Sequence, residues 1–239
     1  MKPRTVAISG VGPGLGAALV RKFVEEGCKV GMFARTGSYL QQLSDDMKNH
    51  GGHAVAIPMD LTDPRQITEG FHSLRNQFGP VDVLINHAGH AAWNPVHELT
   101  PEQFTQAWQV GPLAGFLCTK EVLPDMMKAG KGCILFTGAT SSVRGRGGAA
   151  AFSSAKFGVR GLAESLAREL WPKGIHVAHV VIDGVIGESD QHHQTTGKEG
   201  EPLLNPSRMA EAYWHLTTQD KQAWTLELDL RPFNEDFFI

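Results

Sequence analysis

Eight residues near the N-terminus read Ser9-Gly10-Val11-Gly12-Pro13-Gly14-Leu15-Gly16. They stand between an apolar run typical of a buried strand, Thr5–Ser9, and an apolar-periodic segment that predicts a helix from about Leu15 to Glu26. Glycine at such a turn lets the backbone approach a pyrophosphate, and the helix N-terminus offers free N–H groups to it. A glycine-rich turn alone is a weak signal. Its strand-turn-helix context favours dinucleotide binding over glycines that merely shape the chain.

The same alternation of strands and helices continues along the chain. Apolar periodicity and turn residues predict strands Lys29–Phe33, Ala54–Pro58, Val81–Asn86, Cys133–Thr137, Ile175–Ile182 and Thr225–Leu230, and helices Tyr39–Asn49, Pro64–Phe78 (capped by Asp63), Pro101–Lys128, Ser154–Trp171 and Pro206–Leu216. Seven strands alternating with helices indicate the α/β class. We expect one Rossmann-type, doubly wound domain over residues 1–239, with a seven-stranded parallel sheet and helices on both faces. Residues 187 to about 205 are polar and predict a mobile loop beside the ligand pocket.

Composition argues against several classes of protein. The 239 residues carry a net charge of −3 without a cluster of Lys and Arg, so a nucleic-acid partner is not expected. No run approaches the roughly 20 apolar residues that a membrane-spanning helix needs, and glycines interrupt the apolar N-terminus that a signal peptide requires. The three cysteines, Cys28, Cys118 and Cys133, lack the spacing of metal or redox motifs. We therefore expect reduced thiols, no metal and a cytoplasmic protein.

The end of the second predicted strand bears on the choice of cofactor. A carboxylate there would bond the ribose 2′-hydroxyl of NAD, whereas a nearby arginine accommodates the 2′-phosphate of NADP. This sequence has Ala34-Arg35, with no carboxylate to repel a phosphate and a guanidinium that can bond it bidentately. The sequence predicts NADP(H) in preference to NAD. The alternative for Arg35 is a solvated surface charge.

Three motifs taken together resemble the short-chain dehydrogenase/reductase family over nearly the whole chain. Ser9-Gly10-xxx-Gly14-x-Gly16 is similar to the family's Thr-Gly-xxx-Gly-x-Gly, Asp60 follows the third strand, and Asn86-His87-Ala88-Gly89 resembles its Asn-Asn-Ala-Gly. The resemblance implies that Leu15 contacts the pyrophosphate and that Asp60 and Leu61 flank adenine. The residues expected to bind the cofactor are Gly10, Gly14, Leu15, Gly16, Arg35, Asp60, Leu61, Asn86, Ala88, Gly89, Lys156, Gly184 and Ile186. Singly, Asp60 could instead cap a helix and Asn86 could be a satisfied buried amide.

The family's catalytic residues are mostly absent. Its Tyr-xxx-Lys motif, in which tyrosine exchanges a proton with the substrate oxygen, reads Phe152-Ser153-Ser154-Ala155-Lys156 here. The substrate-orienting serine aligns with Ala139 and the supporting asparagine with Gly111. The family's Pro-Gly-xxx-Thr appears as Asp183-Gly184-Val185-Ile186-Gly187-Glu188, so the threonine is missing as well. Because general acid catalysis is worth about a hundred- to ten-thousandfold, these losses should impair carbonyl reduction unless other groups replace them.

Several nearby side chains are candidate replacements. His90 follows the Asn-xxx-Gly turn, Ser141 and Ser142 follow the lost serine, and the same loop carries Arg144. A histidine near its ordinary pKa is the best proton donor of these, since serine is too weak an acid without help. Lys156, His90 and Ser141 are therefore the candidate catalytic residues, although a lone loop histidine is more often a polar filler. Ser153 is a poorer candidate, since one residue turns about 100° around a helix, away from Lys156.

Three functions compete on these observations. The first is an NADP(H)-dependent oxidoreductase with an atypical active site, acting on a carbonyl or alcohol. The second is a catalytically inactive dinucleotide-binding sensor, or a silent subunit beside an active homologue. The third is an assembly role, because the helices Pro101–Lys128 and Ser154–Trp171 correspond to those that pair across dimers in the family, although their apolar residues could equally be core. We expect a homodimer or homotetramer, with Phe237 and Phe238 candidates for docking on a neighbour.

Overall fold

The computed structural model describes residues 3–187 and 202–234. Its strands are β1 Thr5–Ser9, β2 Lys29–Ala34, β3 His53–Pro58, β4 Val83–Asn86, β5 Gly132–Thr137, β6 Ile175–Ile182, β7 Val185–Ile186, β8 Leu203–Leu204 and β9 Glu227–Leu230. Its α-helices are α1 Leu15–Glu25, α2 Gly37–Asn49, α3 Pro64–Phe78, α4 Pro101–Trp108, α5 Ala114–Ala129, α6 Ala150–Leu170 and α7 Pro206–Leu216. Seven strands form a parallel sheet in the order β3-β2-β1-β4-β5-β6-β9. The predicted Rossmann-type architecture is confirmed.

Helices cover both faces of the sheet. Successive side chains of each strand point to opposite faces, so both sets are buried. Val6 and Ile8 of β1 pack into the core on one face, against α1, α2 and α7, whereas Ala7 packs into the core on the other face. The second core includes Phe71 of α3 and Val159 of α6. Strands covered in this way read as the continuous apolar runs seen in the sequence.

The strand order reverses at β1, and this reversal creates the ligand crevice. β1 pairs with β2 on one side and with β4 on the other, with Ser9 opposite both Phe33 and Asn86. The chain leaves these strands in opposite directions, so their carboxyl ends open onto a gap between the connecting loops. This gap is where the predicted glycine turn lies.

Most predicted boundaries agree with the structure to within two residues, and Asp63 does cap α3 by accepting a hydrogen bond from the Arg65 N–H at 2.9 Å. The long helical stretch predicted over Pro101–Lys128 is present and ends at Ala129, but it is not α-helical throughout. A π-helical segment at Gln109–Leu113 separates α4 from α5 and contains Pro112. Proline removes an N–H and its ring crowds the preceding turn, and a widened turn accommodates both effects.

Two predictions need correction. Helix α6 begins at Ala150 instead of Ser154, because alanines that favour helix follow Gly148, whose φ of +76° suits the turn before it. The loop predicted from 187 to about 205 ends differently, since Leu203–Leu204 pair in parallel with Val185–Ile186. Residues 188–201, including the candidate threonine replacements Glu188 and Ser189, lie outside the described residues, as do Phe237 and Phe238.

The described residues show neither a membrane-spanning helix nor a metal-binding cluster. None of the described helices is long and apolar enough to cross a bilayer. Within residues 3–187 and 202–234, no group of three or more His, Cys, Asp or Glu side chains could hold a metal ion. The three cysteines are free and buried.

Candidate active site

Two cavities open at the carboxyl ends of the strands. The Arg35 cavity has a volume of about 340 Å³ and lies over the glycine turn and the ends of β2 and β3. The Lys156 cavity has a volume of about 560 Å³ and lies over the ends of β5 and β6 and the start of α6. His87 and Gly89 line both cavities, so the two form neighbouring halves of one crevice.

The glycine turn is held by contacts that only glycine permits. The N–H groups of Gly10 and Val11 donate to the Phe33 carbonyl at 2.8 and 3.1 Å. Gly10 has a φ of +81°, and a Cβ there would lie 2.5 Å from the Cα of Ala88. The turn leads to the N-terminus of α1, which has no side-chain cap. A helix N-terminus without a side-chain cap favours an anion near it, and the turn residues Gly10 and Val11 that precede it line the Arg35 cavity.

Among the described residues, the Arg35 cavity is lined by one cation, Arg35, and one carboxylate, Asp60. Arg35 is exposed at its mouth, and none of the described carboxylates pairs with its guanidinium. Asp60 Oδ1 accepts hydrogen bonds from the Thr62 N–H and hydroxyl, both at 2.8 Å. These bonds, with a smaller contribution from Arg35, hold the pKa of Asp60 below its usual range. Leu61 supplies a buried apolar wall beside it.

Asn86 carries two unsatisfied buried groups at the end of β4. The residue is buried, and neither its Nδ2 nor its Oδ1 has a hydrogen-bond partner among the described residues. Most buried side-chain amides are satisfied, since an unpaired polar group costs about 1–3 kcal/mol. Asn86 thus keeps two unpartnered polar atoms next to His87, which lines both cavities.

Lys156 is the one family catalytic residue that the sequence retains, and it lies in the wall of the second cavity. It is buried, and its Nζ donates a hydrogen bond to the Thr137 carbonyl at 2.8 Å. The same Nζ would lie 3.5 Å from a Cβ on Gly89. Burial disfavours the charged form and lowers the pKa of Lys156 to about 8. The ammonium is thus an acid whose pKa is close to neutral pH.

His87 was missed by sequence reasoning. Its Nδ1 lies 3.3 Å from the Thr137 hydroxyl, which in turn lies 2.8 Å from the Tyr213 hydroxyl. Desolvation, and to a lesser extent the Lys156 ammonium, lower the pKa of His87 to about 4, so its ring is neutral at pH 7. The available signal was its position, because it replaces the second asparagine of the family's Asn-Asn-Ala-Gly.

An apolar wall stands where the family places its tyrosine. The Phe152 ring is centred 5.6 Å from Lys156 Nζ and 5.3 Å from the Trp93 ring. The four-residue spacing therefore brings the ring beside the lysine, as predicted, but without a hydroxyl. Ala139 lines the same cavity with a methyl group. Gly111 lies in the π-helical segment, and a Cβ there would make ordinary contact with Val159 at 3.6 Å.

The candidate replacements separate in space. His90 lines the Arg35 cavity and is not among the described residues around the Lys156 cavity. Ser141 lines the Lys156 cavity, where its hydroxyl accepts a hydrogen bond from Ser153 at 3.4 Å. Ser142 is fully buried and accepts a hydrogen bond from the Ala139 N–H, which is a structural role. Arg144 lines the Lys156 cavity as well.

Asp183 forms a neutralised pair on the floor of the Lys156 cavity. The carboxylate is buried, accepts a hydrogen bond from the Thr140 hydroxyl, and lies 2.9 Å from Nη1 of Arg231. The next residues, Gly184 and Ile186, line this cavity rather than the Arg35 cavity. Asp183 thus joins the end of β6 to the segment after β9 by an ion pair.

A comparison with protein families identifies this arrangement. The profile of the family described as short chain dehydrogenase matches residues 4–197. The chain belongs to the short-chain dehydrogenase family. Its glycine turn, Asp60 and the Asn86–Gly89 turn carried this resemblance in the sequence, and the family assignment is confirmed.

Relatives of this short-chain dehydrogenase include reductases and solved structures. It is 31% identical over 179 residues to the 3-oxoacyl-[acyl-carrier-protein] reductase FabG of Escherichia coli. The aligned segment covers 75% of this chain and 72% of FabG. Among curated relatives, the matched segments span 64 to 72% of each protein's own length. A short-chain dehydrogenase from Rhodopseudomonas palustris is 37% identical, with a TM-score of 0.84 over 96% of this chain and 99% of that one. A metagenomic short-chain oxidoreductase in complex with NADP is 25% identical, with a TM-score of 0.84 over 97% and 98% of the two chains.

Proposed function

We propose that this short-chain dehydrogenase transfers hydride between NADP(H) and a carbonyl or alcohol substrate, with the Lys156 ammonium as the proton donor. The observation that carries the proposal is that Lys156 lines the larger cavity while every other family catalytic position there has lost its polar group. Oxidoreductase chemistry is supported by the family, and NADP by the metagenomic relative that was solved with it.

The Arg35 cavity fits the nucleotide by its chemistry. Gly10 and Gly16 leave no room for a side chain near Ala88 and Val11, which keeps the backbone open to a pyrophosphate. The uncapped start of α1 would bind this group, and Arg35 would bind the 2′-phosphate. Asp60, ionised at neutral pH, would accept a hydrogen bond from the adenine amino group. When bound, the nicotinamide supplies or accepts the hydride.

Lys156 would act on the substrate oxygen as negative charge develops on it. An ammonium has three N–H donors, and one is held by the Thr137 carbonyl. A second donor can therefore face the cavity. A group with a pKa of about 8 is protonated at neutral pH and still gives up its proton readily. His87 is a positioning residue in this proposal, since its neutral ring contacts the hydroxyl of Thr137, whose carbonyl holds Lys156.

The second candidate function is nucleotide binding without catalysis, as a sensor or as a silent subunit. The observation that favours it is the coordinated loss of polar groups at Phe152, Ala139 and Gly111. Both candidates require the Arg35 cavity, so cofactor binding does not distinguish them. They differ in whether Lys156 transfers a proton.

Assembly into a homodimer or homotetramer and a cytoplasmic location belong to the same proposal. Five large apolar side chains are about 40% exposed on α4, α5, α6 and the segment between α4 and α5: Phe104, Trp108, Leu113, Phe116 and Phe157. Their concentration on the helices that pair in the family supports an oligomer. Sedimentation at micromolar concentration tests it, and a monomer would contradict it. Three buried free thiols agree with a reducing compartment.

The test of function has two stages. Purified protein, checked by mass spectrometry for bound nucleotide, is titrated with NADPH and NADH by calorimetry. The NADPH-loaded protein is then mixed with aliphatic and aromatic aldehydes and ketones while nicotinamide absorbance is followed. Turnover that disappears in Lys156→Met supports the proposal. Binding without turnover, with activity appearing only in Phe152→Tyr, would establish the silent alternative, and no nucleotide binding would refute both.

A further inference from the structure

Arg144 is the cavity residue that the proposed chemistry does not use. It lies in the loop between β5 and α6 and lines the Lys156 cavity. Its Nε is buried, and none of the described residues accepts a hydrogen bond from it. No ion pair neutralises its guanidinium within residues 3–187 and 202–234. A desolvated guanidinium edge without an acceptor is unfavourable unless a ligand satisfies it.

The balance of charge in the Lys156 cavity favours an anion. Lys156, Arg144 and Arg146 contribute three cations to its lining. Among the described residues that line it, Asp183 carries the only carboxylate, and that carboxylate is already paired with Arg231 and with the Thr140 hydroxyl. The described lining of this cavity therefore carries net positive charge.

The remaining walls are apolar. Trp93 and Phe152 form one aromatic side, with ring centres 5.3 Å apart, and Ile182 and Ile186 also line the cavity. Trp93 is 55% exposed, so its ring offers surface that a bound molecule could cover. Such walls suit the hydrocarbon or aromatic body of a ligand, while the few polar groups fix its orientation.

We propose that the substrate carries a carboxylate on an apolar body and that Arg144 binds this carboxylate while the reacting oxygen faces Lys156. The proposal rests on the proposed function for the identity of the reacting group only. Arg144 lines the cavity, and the planar fork of a guanidinium can pair with the two oxygens of a carboxylate. The substrate class is thus an oxo acid or the corresponding hydroxy acid. Arg144 determines specificity.

The test compares acids with their neutral esters. Benzoylformate and benzoylacetate, and the methyl ester of each, are titrated by calorimetry into protein saturated with NADP⁺ and into protein without nucleotide. We expect at least one acid to bind about tenfold or more tightly than its ester, the effect of one charge-assisted hydrogen bond. Arg144→Gln should remove this preference, and Arg144→Lys should restore part of it by keeping the charge without the fork.

Controls separate Arg144 from general charge effects and from misfolding. Arg168→Gln changes an arginine of α6 that is 72% exposed and paired with Glu164, and it should keep the full preference. None of the variants should unfold at a markedly lower temperature than the unaltered protein. Equal binding of acid and ester, binding of neither, a preference that survives Arg144→Gln, or equal competition by inorganic phosphate would each overturn the proposal. Acid selectivity without turnover would support Arg144 while refuting hydride transfer, so the two failures are distinguishable.

Discussion

The Arg35 cavity and the Lys156 cavity adjoin each other and have diverged to different degrees. The Arg35 cavity keeps the family pattern in Gly10, in Asp60 and in Ala88-Gly89. The second retains only Lys156 of four catalytic positions. The residues of the two cavities can therefore change independently of each other on this fold.

A physical difference between the two cavities explains this. The first is built largely from backbone, because a Cβ on Gly10 would meet the backbone of Ala88 at 2.5 Å and would disturb the sheet. The second is built from side-chain ends. At position 152 a ring without a hydroxyl still packs on Trp93, and at position 111 the Cβ space makes only ordinary contacts. Such positions change without disturbing the fold.

The largest expected effect tests whether the Lys156 cavity supplies the proton. Lys156→Met should lower kcat for carbonyl reduction by about a hundred- to ten-thousandfold, the usual value of a general acid. In the unaltered protein, reduction requires the protonated amine. Because the pKa of Lys156 is about 8, kcat should be flat below that pH and fall as pH rises above it. Stopped-flow measurements of NADPH oxidation across pH 6 to 10 check this, and a flat profile throughout would contradict it.

The next effect tests the backbone character of the first cavity. Gly10→Ala should raise the Kd for NADPH by on the order of a hundredfold, because its φ of +81° and the contact with Ala88 force the turn to shift. Gly12→Ala is the matched control, since a Cβ there meets nothing within 4 Å. Calorimetry should find Gly12→Ala close to the unaltered protein. An equal rise of the Kd in both variants would show that the close contact at Gly10 is not the reason for weaker binding.

A smaller effect distinguishes the two nucleotides. Arg35→Ala should raise the Kd for NADPH by about 10- to 100-fold, the loss of charge-assisted bonds to the 2′-phosphate, while binding of NADH changes little. Arg65→Ala is the control, because that side chain is 89% exposed at the start of α3. If Arg35→Ala raised the Kd of both nucleotides equally, Arg35 would act only as a general surface charge.

The smallest expected effect bears on the lost tyrosine. If Lys156 already supplies the proton, Phe152→Tyr should change kcat by less than about tenfold. Steady-state rates with the same carbonyl compounds measure this. A rise of about a hundredfold or more would show instead that the second cavity is silent as it stands and that the hydroxyl was its missing part.

Sequence reasoning predicted the fold well because its signals were local. The alternation of apolar strands, the glycine turn and the Asp63 cap each depend on neighbouring residues. It placed Arg35, Asp60 and Leu61 together, and the structure finds all three around one cavity. The start of α6 and the π-helical segment were missed, because alanine content and a single proline do not specify where a helix begins or widens.

The second cavity was less predictable because its contacts are long-range. His87 meets Thr137, 50 residues away, and that residue meets Tyr213, a further 76 residues along the chain. The residues next to His87 in the sequence do not indicate these partners. His90 is only three residues later but lies in the other cavity, so proximity in sequence to the Asn-xxx-Gly turn did not decide which cavity a side chain faces.

The burial of Lys156 also has a thermodynamic consequence for the whole protein. An amine whose pKa falls from 10.5 to about 8 on folding binds its proton less tightly than it does in the unfolded chain. Between those two pH values the unfolded chain holds more protons, so stability increases as pH rises, by on the order of 3 kcal/mol in total. Below pH 8 the full cost of the buried charge is present. The protein is thus less stable in the pH range in which its ammonium can act as an acid, and a bound anion that pairs with Lys156 would recover part of that stability.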